Sequence, residues 1–188
     1  MLIAAWRLVV ATCAATGVTL AAVQYDVWWT ALSQLANLAV ALSYAGLAAY
    51  SLSGRTEPRS PWLRGALATL MTLVALAYLP MQNGNITEPY SVFEHLVTPA
   101  LVVADFLLVG RNQAQVRWWH PLTWLLAPLA YLGWYVASEL RVYAPLDPGL
   151  QASFVAQLAL LSSLVLLAGF AFYAVGRRRR TDLLVSTV

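Results

Sequence analysis

The sequence predicts an all-α membrane protein, a six-helix transmembrane bundle with its N-terminus and C-terminus both cytoplasmic. Three observations predict it. Hydrophobic residues make up 61% of the 188 and charged residues 10%, where soluble chains carry about 25% charge. The apolar residues gather into six stretches, 2–23, 27–52, 65–80, 91–110, 122–140 and 151–176. Each approaches the ~20 residues a helix needs to cross a hydrocarbon core of ~30 Å. The basic residues, all of them arginine, fall in alternate connecting segments.

Taken in order, 2–23 has Arg7 ahead of its apolar run, as a signal peptide would, but lacks a separate basic region and continues to Val23. It reads as a retained first span. A short turn at 24–26 leads into 27–52, whose Trp28 and Trp29 suit the headgroup zone. Pro58 and Pro61 mark 53–64 as a loop, and 65–80 is the shortest span. Gly84 and Pro89 break the chain at 81–90 before 91–110. Arg111, Arg117, Trp118, Trp119 and His120 fill the next loop ahead of 122–140. Pro145, Pro148 and Gly149 turn the chain into 151–176. Residues 1–176 thus form one integral membrane domain, and 177–188 a basic cytoplasmic tail with no apolar residue pattern to order 181–188.

Positive residues near span ends are retained on the cytoplasmic side. Arg7, Arg55, Arg59, Arg64, Arg111, Arg117 and Arg177 to Arg180 all fall on one side of a six-span chain, and only Arg141 on the other. The expected location is a bacterial inner (plasma) membrane, multi-pass, with membrane lipids as the surroundings. The same distribution makes the net charge of +3 topogenic and argues against a nucleic-acid partner. Cys13 stands alone inside the first span, which excludes an intramolecular disulfide. No two histidines share a helix face, no glycine-rich phosphate loop follows a strand, and no span carries paired carboxylates. No metal or other cofactor is therefore expected.

Polar groups inside a bilayer are costly unless they find partners, so the short roll of them is informative. On the second span Thr30, Ser33 and Asn37 are spaced to share one helical face, with Gln34 alongside. On the fourth, Glu94 and His95 lie near the outer end and Asp105 lies deeper, toward the arginine side. Counted inward at ~1.5 Å per residue, Ser33 sits ~9 Å and His95 ~6 Å from the outer ends of their spans. A hydroxyl needs a base to become a nucleophile, and imidazole is the usual one. A Ser33 and His95 pair at matched depth therefore suits acyl transfer on a lipid-dissolved ester, with Thr30 as the fallback nucleophile. Asn37 supports it either as an oxyanion donor or as a hydrogen bond between helices. Each residue also has a plain structural reading: Ser and Thr bond between helices, Glu94 stays at the wet interface instead of orienting the imidazole, and Asp105, with Arg111 and Arg117 following it, forms a structural salt bridge.

Phe93-Glu94-His95-Leu96-Val97-Thr98-Pro99, continued by Ala104-Asp105-Phe106, has histidine, then proline four later, then aspartate-aromatic. With Pro128-Leu129-Ala130-Tyr131 and Tyr143-Ala144-Pro145-Leu146-Asp147-Pro148, it resembles the bacterial branch of the FAR/AIG-like family, six-span relatives of the androgen-induced hydrolases. The resemblance covers nearly the whole chain and rests on the order and spacing of these motifs. It implies a threonine-type hydrolase of fatty-acid esters of hydroxy fatty acids, with its histidine at His95. Leu32-Ser33-Gln34-Leu35-Ala36-Asn37 matches the family's second-span pattern, with Ser33 where the family has threonine. The expected function is intramembrane ester hydrolysis on a lipid-ester substrate. The alternative is a non-catalytic scaffold or a carrier of lipid or small molecules. The sequence does not fix an oligomeric state.

Overall fold

The protein is described from a computed structural model, which covers residues 1–55, 57–82 and 84–185. A backbone surrounded by lipid must satisfy its own N–H and C=O groups, and helices do so within one segment. The described chain is accordingly helical, with no strand among the described residues. Its long elements are α1 (Leu2–Gln24), α2 (Leu32–Leu52), α3 (Trp62–Gln82), α4 (Pro89–Leu108), α5 (Leu126–Ala137) and α6 (Gln151–Val185). Four of them, α1, α2, α4 and α6, are long and apolar enough to cross a membrane, the mark of a membrane protein. In α6 only 17% of the most apolar window is buried. Its Leu160 and Leu167 point outward, which suits a lipid-facing surface.

Small residues set the closest packing. α1 and α2 lie against each other through Ala11, Ala14, Ala36 and Val40, which let two backbones approach and gain dispersion contacts where water supplies no driving force. Gly65 on α3 lies so close to the Trp124 indole that a β-carbon there would overlap the ring. Trp124 is itself buried among Met71, Leu67 and Phe172 of the core. Gly65→Ala is expected to destabilise the bundle by about 1–3 kcal/mol, the usual cost of overpacking, as a shift in the unfolding midpoint in mixed micelles.

A polar network ties the other end of the bundle. Asp105 on α4 is fully buried and accepts from Arg64 Nε at 2.7 Å, Tyr44 Oη at 3.0 Å and Trp6 Nε1 at 3.0 Å. Arg64 also bonds Glu57 at 2.8 Å and Asn112 Oδ1 at 2.7 Å. Arg7, fully buried, donates to Ser51 Oγ at 2.7 Å and to the Leu47 carbonyl. Asp105 thus finds its salt bridge in α3, not in Arg111 or Arg117 of the loop that follows it.

Several boundaries differ from expectation. α2 begins at Leu32 and not at 27, because Trp28–Thr30 forms a 3-10 turn and Ala31 is extended. The stretch 122–140 is broken into His120–Thr123 and α5, with a turn at 124–125. Pro128 has no N–H to return to the Trp124 carbonyl, so a regular helix cannot run through that turn. α6 does not stop at 176, and its arginines, good helix formers, carry it to Val185. Of the expected disordered tail, 186–188 lies outside the described residues.

Candidate functional site

The site begins with an irregularity in α4. Over Phe93–Val97 the helix widens to a π-turn, and the Thr98 N–H reaches back five residues to the Phe93 carbonyl. Pro99 explains why the irregularity persists. It has no N–H for the carbonyls one turn back, and the Glu94 carbonyl is taken instead by Asn37 Nδ2 of α2 at 3.2 Å. The same nitrogen donates to the Ser33 carbonyl at 2.9 Å. Asn37 is therefore the hydrogen bond between helices that its position allowed, with both amide contacts spent on backbone. π-turns recur at functional sites because they splay neighbouring side chains.

Here they splay Glu94 from His95. Glu94 is fully buried, with its side chain against Gly17 of α1 and no hydrogen-bond partner for either carboxyl oxygen. The expectation that Glu94 stays at the wet interface is thereby overturned. An added β-carbon at Gly17 would lie 3.1 Å from the Glu94 Cγ, so glycine makes room for the carboxyl. The Ser33 hydroxyl lies beside that carboxyl without hydrogen-bond geometry.

His95 turns the other way. Its ring stacks on Tyr78 of α3, with centroids 3.5 Å apart and planes 16° apart. Nδ1 lies 3.1 Å from the Ser91 carbonyl and 3.3 Å from Ser91 Oγ. A carbonyl only accepts, so the contact assigns the proton to Nδ1 and leaves the Nε2 lone pair free to act as a base. Ser91 Oγ donates in turn to Tyr78 Oη at 2.9 Å. The imidazole is thus held in orientation and tautomer by two groups that sequence reasoning missed. Ser91 carries a usable signal, since it stands one helical turn before His95.

Ser33, His95 and Thr30 line one cavity of about 300 Å³ between α2, α3, α4, α5 and α6. Most of its wall is apolar, including Leu73, Val74, Leu129, Leu161 and Val165. Ser33 occupies the first turn of α2, where the amides of Ser33 and Gln34 have no carbonyl one turn back and the helix dipole presents its positive end. No hydrogen bond joins Ser33 to His95; they share a wall, and a substrate or one water would have to span the gap. Thr30 does not share a helical face with Ser33 and Asn37, because it lies in the 3-10 turn. Its hydroxyl donates to the Val27 carbonyl at 3.2 Å.

Three tyrosines hold the start of α2 in place. Tyr131 Oη donates to the Thr30 carbonyl at 2.8 Å, and Tyr143 Oη accepts the Leu32 N–H at 2.9 Å. Tyr135 bonds both the N–H and the carbonyl of Tyr143. Burial pushes the Tyr143 phenol up to about 12, so it keeps its proton at neutral pH and can donate it while capping α2. The sequence matches no protein-family model, no curated protein and no solved structure.

Proposed function

We propose that this chain is an intramembrane hydrolase of lipid esters, with Ser33 as nucleophile and His95 as general base. One observation carries the reading. Ser33, at a helix N-terminus, and His95, whose Nδ1 is held by the Ser91 carbonyl, line the same apolar cavity. Through one bridging water, Nε2 takes the Ser33 proton as Oγ attacks the ester carbonyl. The developing oxyanion meets the first-turn amide of Gln34 and the positive end of α2. The proton then passes from Nε2 to the departing alcohol, and water, activated by the same nitrogen, releases the acid from the acyl-enzyme. Asn37 supports the site by fixing the backbone of Ser33 and Glu94. The resemblance to the FAR/AIG-like proteins favours the same pair, and no cofactor enters the chemistry.

The same reading includes six membrane crossings, with α3 and the His120–Ala137 segment added to the four longest apolar helices, and both termini in the cytoplasm of a cell with this protein in its inner membrane. It is supported by the gathering of Arg59, Arg111, Arg117, Arg177 and Arg180 around one basin. A non-catalytic scaffold or lipid carrier is the rival. The lack of a direct bond between Ser33 and His95 favours it.

Labelling membranes with a fluorophosphonate probe separates the two. The native chain is expected to label, Thr30→Ala to keep the label and Ser33→Ala to lose it. Loss confined to Thr30→Ala would move the nucleophile to Thr30. Equal labelling of both variants and the native chain would leave the scaffold or carrier.

A further inference from the structure

Five of the arginines that sequence reasoning treats only as topogenic meet in three dimensions. Arg59 comes from the loop before α3, Arg111 and Arg117 from the segment after α4, and Arg177 and Arg180 from the end of α6. Together they line an open basin of about 1750 Å³. All five are exposed. The guanidinium groups of Arg59, Arg111, Arg117 and Arg180 make no hydrogen bond or ion pair to any described residue.

Among the described residues that line the basin one is a carboxylate, Glu57, and its oxygens are already engaged. Oε1 pairs with Arg64 at 2.8 Å, and Oε2 accepts the backbone amides of Arg111 at 2.8 Å and Asn112 at 3.1 Å. Glu57 thus shapes the basin without neutralising it, and the facing arginines repel one another unless an anion sits among them. A planar guanidinium offers paired donors that match phosphate oxygens.

The rim names the kind of anion. Trp118 and Trp119 are 62% and 38% exposed beside the arginines, and amphipathic indoles partition to the headgroup level of a bilayer. Leu122 and Leu126, just beyond them, are exposed apolar residues. A free phosphate would occupy a small part of the basin and leave the indoles and leucines unused. A lipid would place its phosphate among the arginines, its glycerol near the indoles and its chains along the leucines.

We propose that this basin binds the phosphate-bearing headgroup of an anionic phospholipid through Arg59, Arg111, Arg117 and Arg180, with Trp118 and Trp119 at the boundary of its acyl chains. The site is separate from the Ser33 and His95 cavity and stands whether or not that cavity is catalytic.

The test uses the full chain, purified in a neutral detergent and titrated with phosphatidylglycerol in phosphatidylcholine micelles, with bound lipid read by native mass spectrometry. Arg111→Gln/Arg117→Gln is expected to weaken phosphatidylglycerol retention about tenfold or more. Arg55→Gln/Arg178→Gln removes the same charge from exposed arginines outside the basin and is expected to change retention less than twofold. Thermal unfolding of both variants confirms that each is folded, and a basin variant that unfolds is replaced by Trp118→Ala, which is expected to weaken retention severalfold. Equal losses in the two double variants would mean diffuse surface charge and overturn the site. Unchanged retention in the basin variant would overturn it too. Displacement of the lipid by millimolar inorganic phosphate would assign the basin to a free anion and overturn the lipid.

Discussion

Hydrolysis of a lipid ester is expected to fall by about a hundredfold to ten-thousandfold when His95 is replaced by glutamine, the range that positioned general bases contribute. Glutamine can still donate to the Ser91 carbonyl and lie flat on Tyr78, so it keeps the packing that holds His95 in place. What it lacks is a lone pair basic enough to take the Ser33 proton. The comparison to make is kcat for a medium-chain ester in micelles, alongside the thermal midpoint of each variant. His95→Ala should lose similar activity and recover part of it with added imidazole, because removal of the ring leaves a void of about that size on the cavity wall. Ser91→Ala keeps the backbone carbonyl that holds Nδ1 and should lower kcat only severalfold. A fall in the thermal midpoint with unchanged turnover would make His95 a packing residue and remove the proposed base.

The second large effect is on stability. Arg64→Met is expected to cost about 3–5 kcal/mol, the usual penalty for breaking a buried ion pair from one side. Methionine fills much of the stem's volume but leaves the fully buried Asp105 with Tyr44 and Trp6 and without its hydrogen-bonded cation, the buried Arg7 acting on it only through its charge. It also removes the donors that join Glu57 and Asn112 to the bundle. Because the loss lies in the stranded carboxylate, Arg64→Met/Asp105→Leu should recover a large part of it. Unfolding in mixed micelles, followed by helix signal for the native chain, each single variant and the double variant, yields the coupling directly. Additive losses would show that the pair acts through separate contacts.

Why some of this was legible and some was not can be argued residue by residue. The helices were legible because a lipid solvent leaves the chain few other ways to satisfy its backbone, so apolar length translates directly into structure. The start of α2 was not. Thr30, Ser33 and Asn37 have helical spacing, but Tyr131 and Tyr143, about a hundred positions later, capture the Thr30 carbonyl and the Leu32 amide and hold the chain in another conformation. Arg64 shows a different failure. A buried aspartate must find a cation, and that much follows from Asp105 alone, but the nearest arginines in sequence are not its partners. The sequence points Glu94 to the interface because it stands near the end of a span. Only the folded chain shows that Gly17 on α1 leaves room for it. Ser33 and His95 were found by depth, and the structure places them on one cavity but leaves them without a direct bond.

The widened turn in α4 also lies between two anchored ends. On one side of it, Thr98–Leu108 is fixed through Asp105 to three other helices; on the other, Ser91 grips the imidazole. Deleting one residue within 93–97 would let the segment close into a regular helix. The two flanks would keep nearly the same phase, because five residues in the wider turn rotate the chain about as far as four in an α-helix; what would change is the direction of the side chains within the segment, Glu94 and His95 among them. Loops elsewhere in the chain can change length without turning any helix. This segment could lose its odd residue on the same terms, so that residue serves the direction of Glu94 and His95 and not the alignment of the two ends.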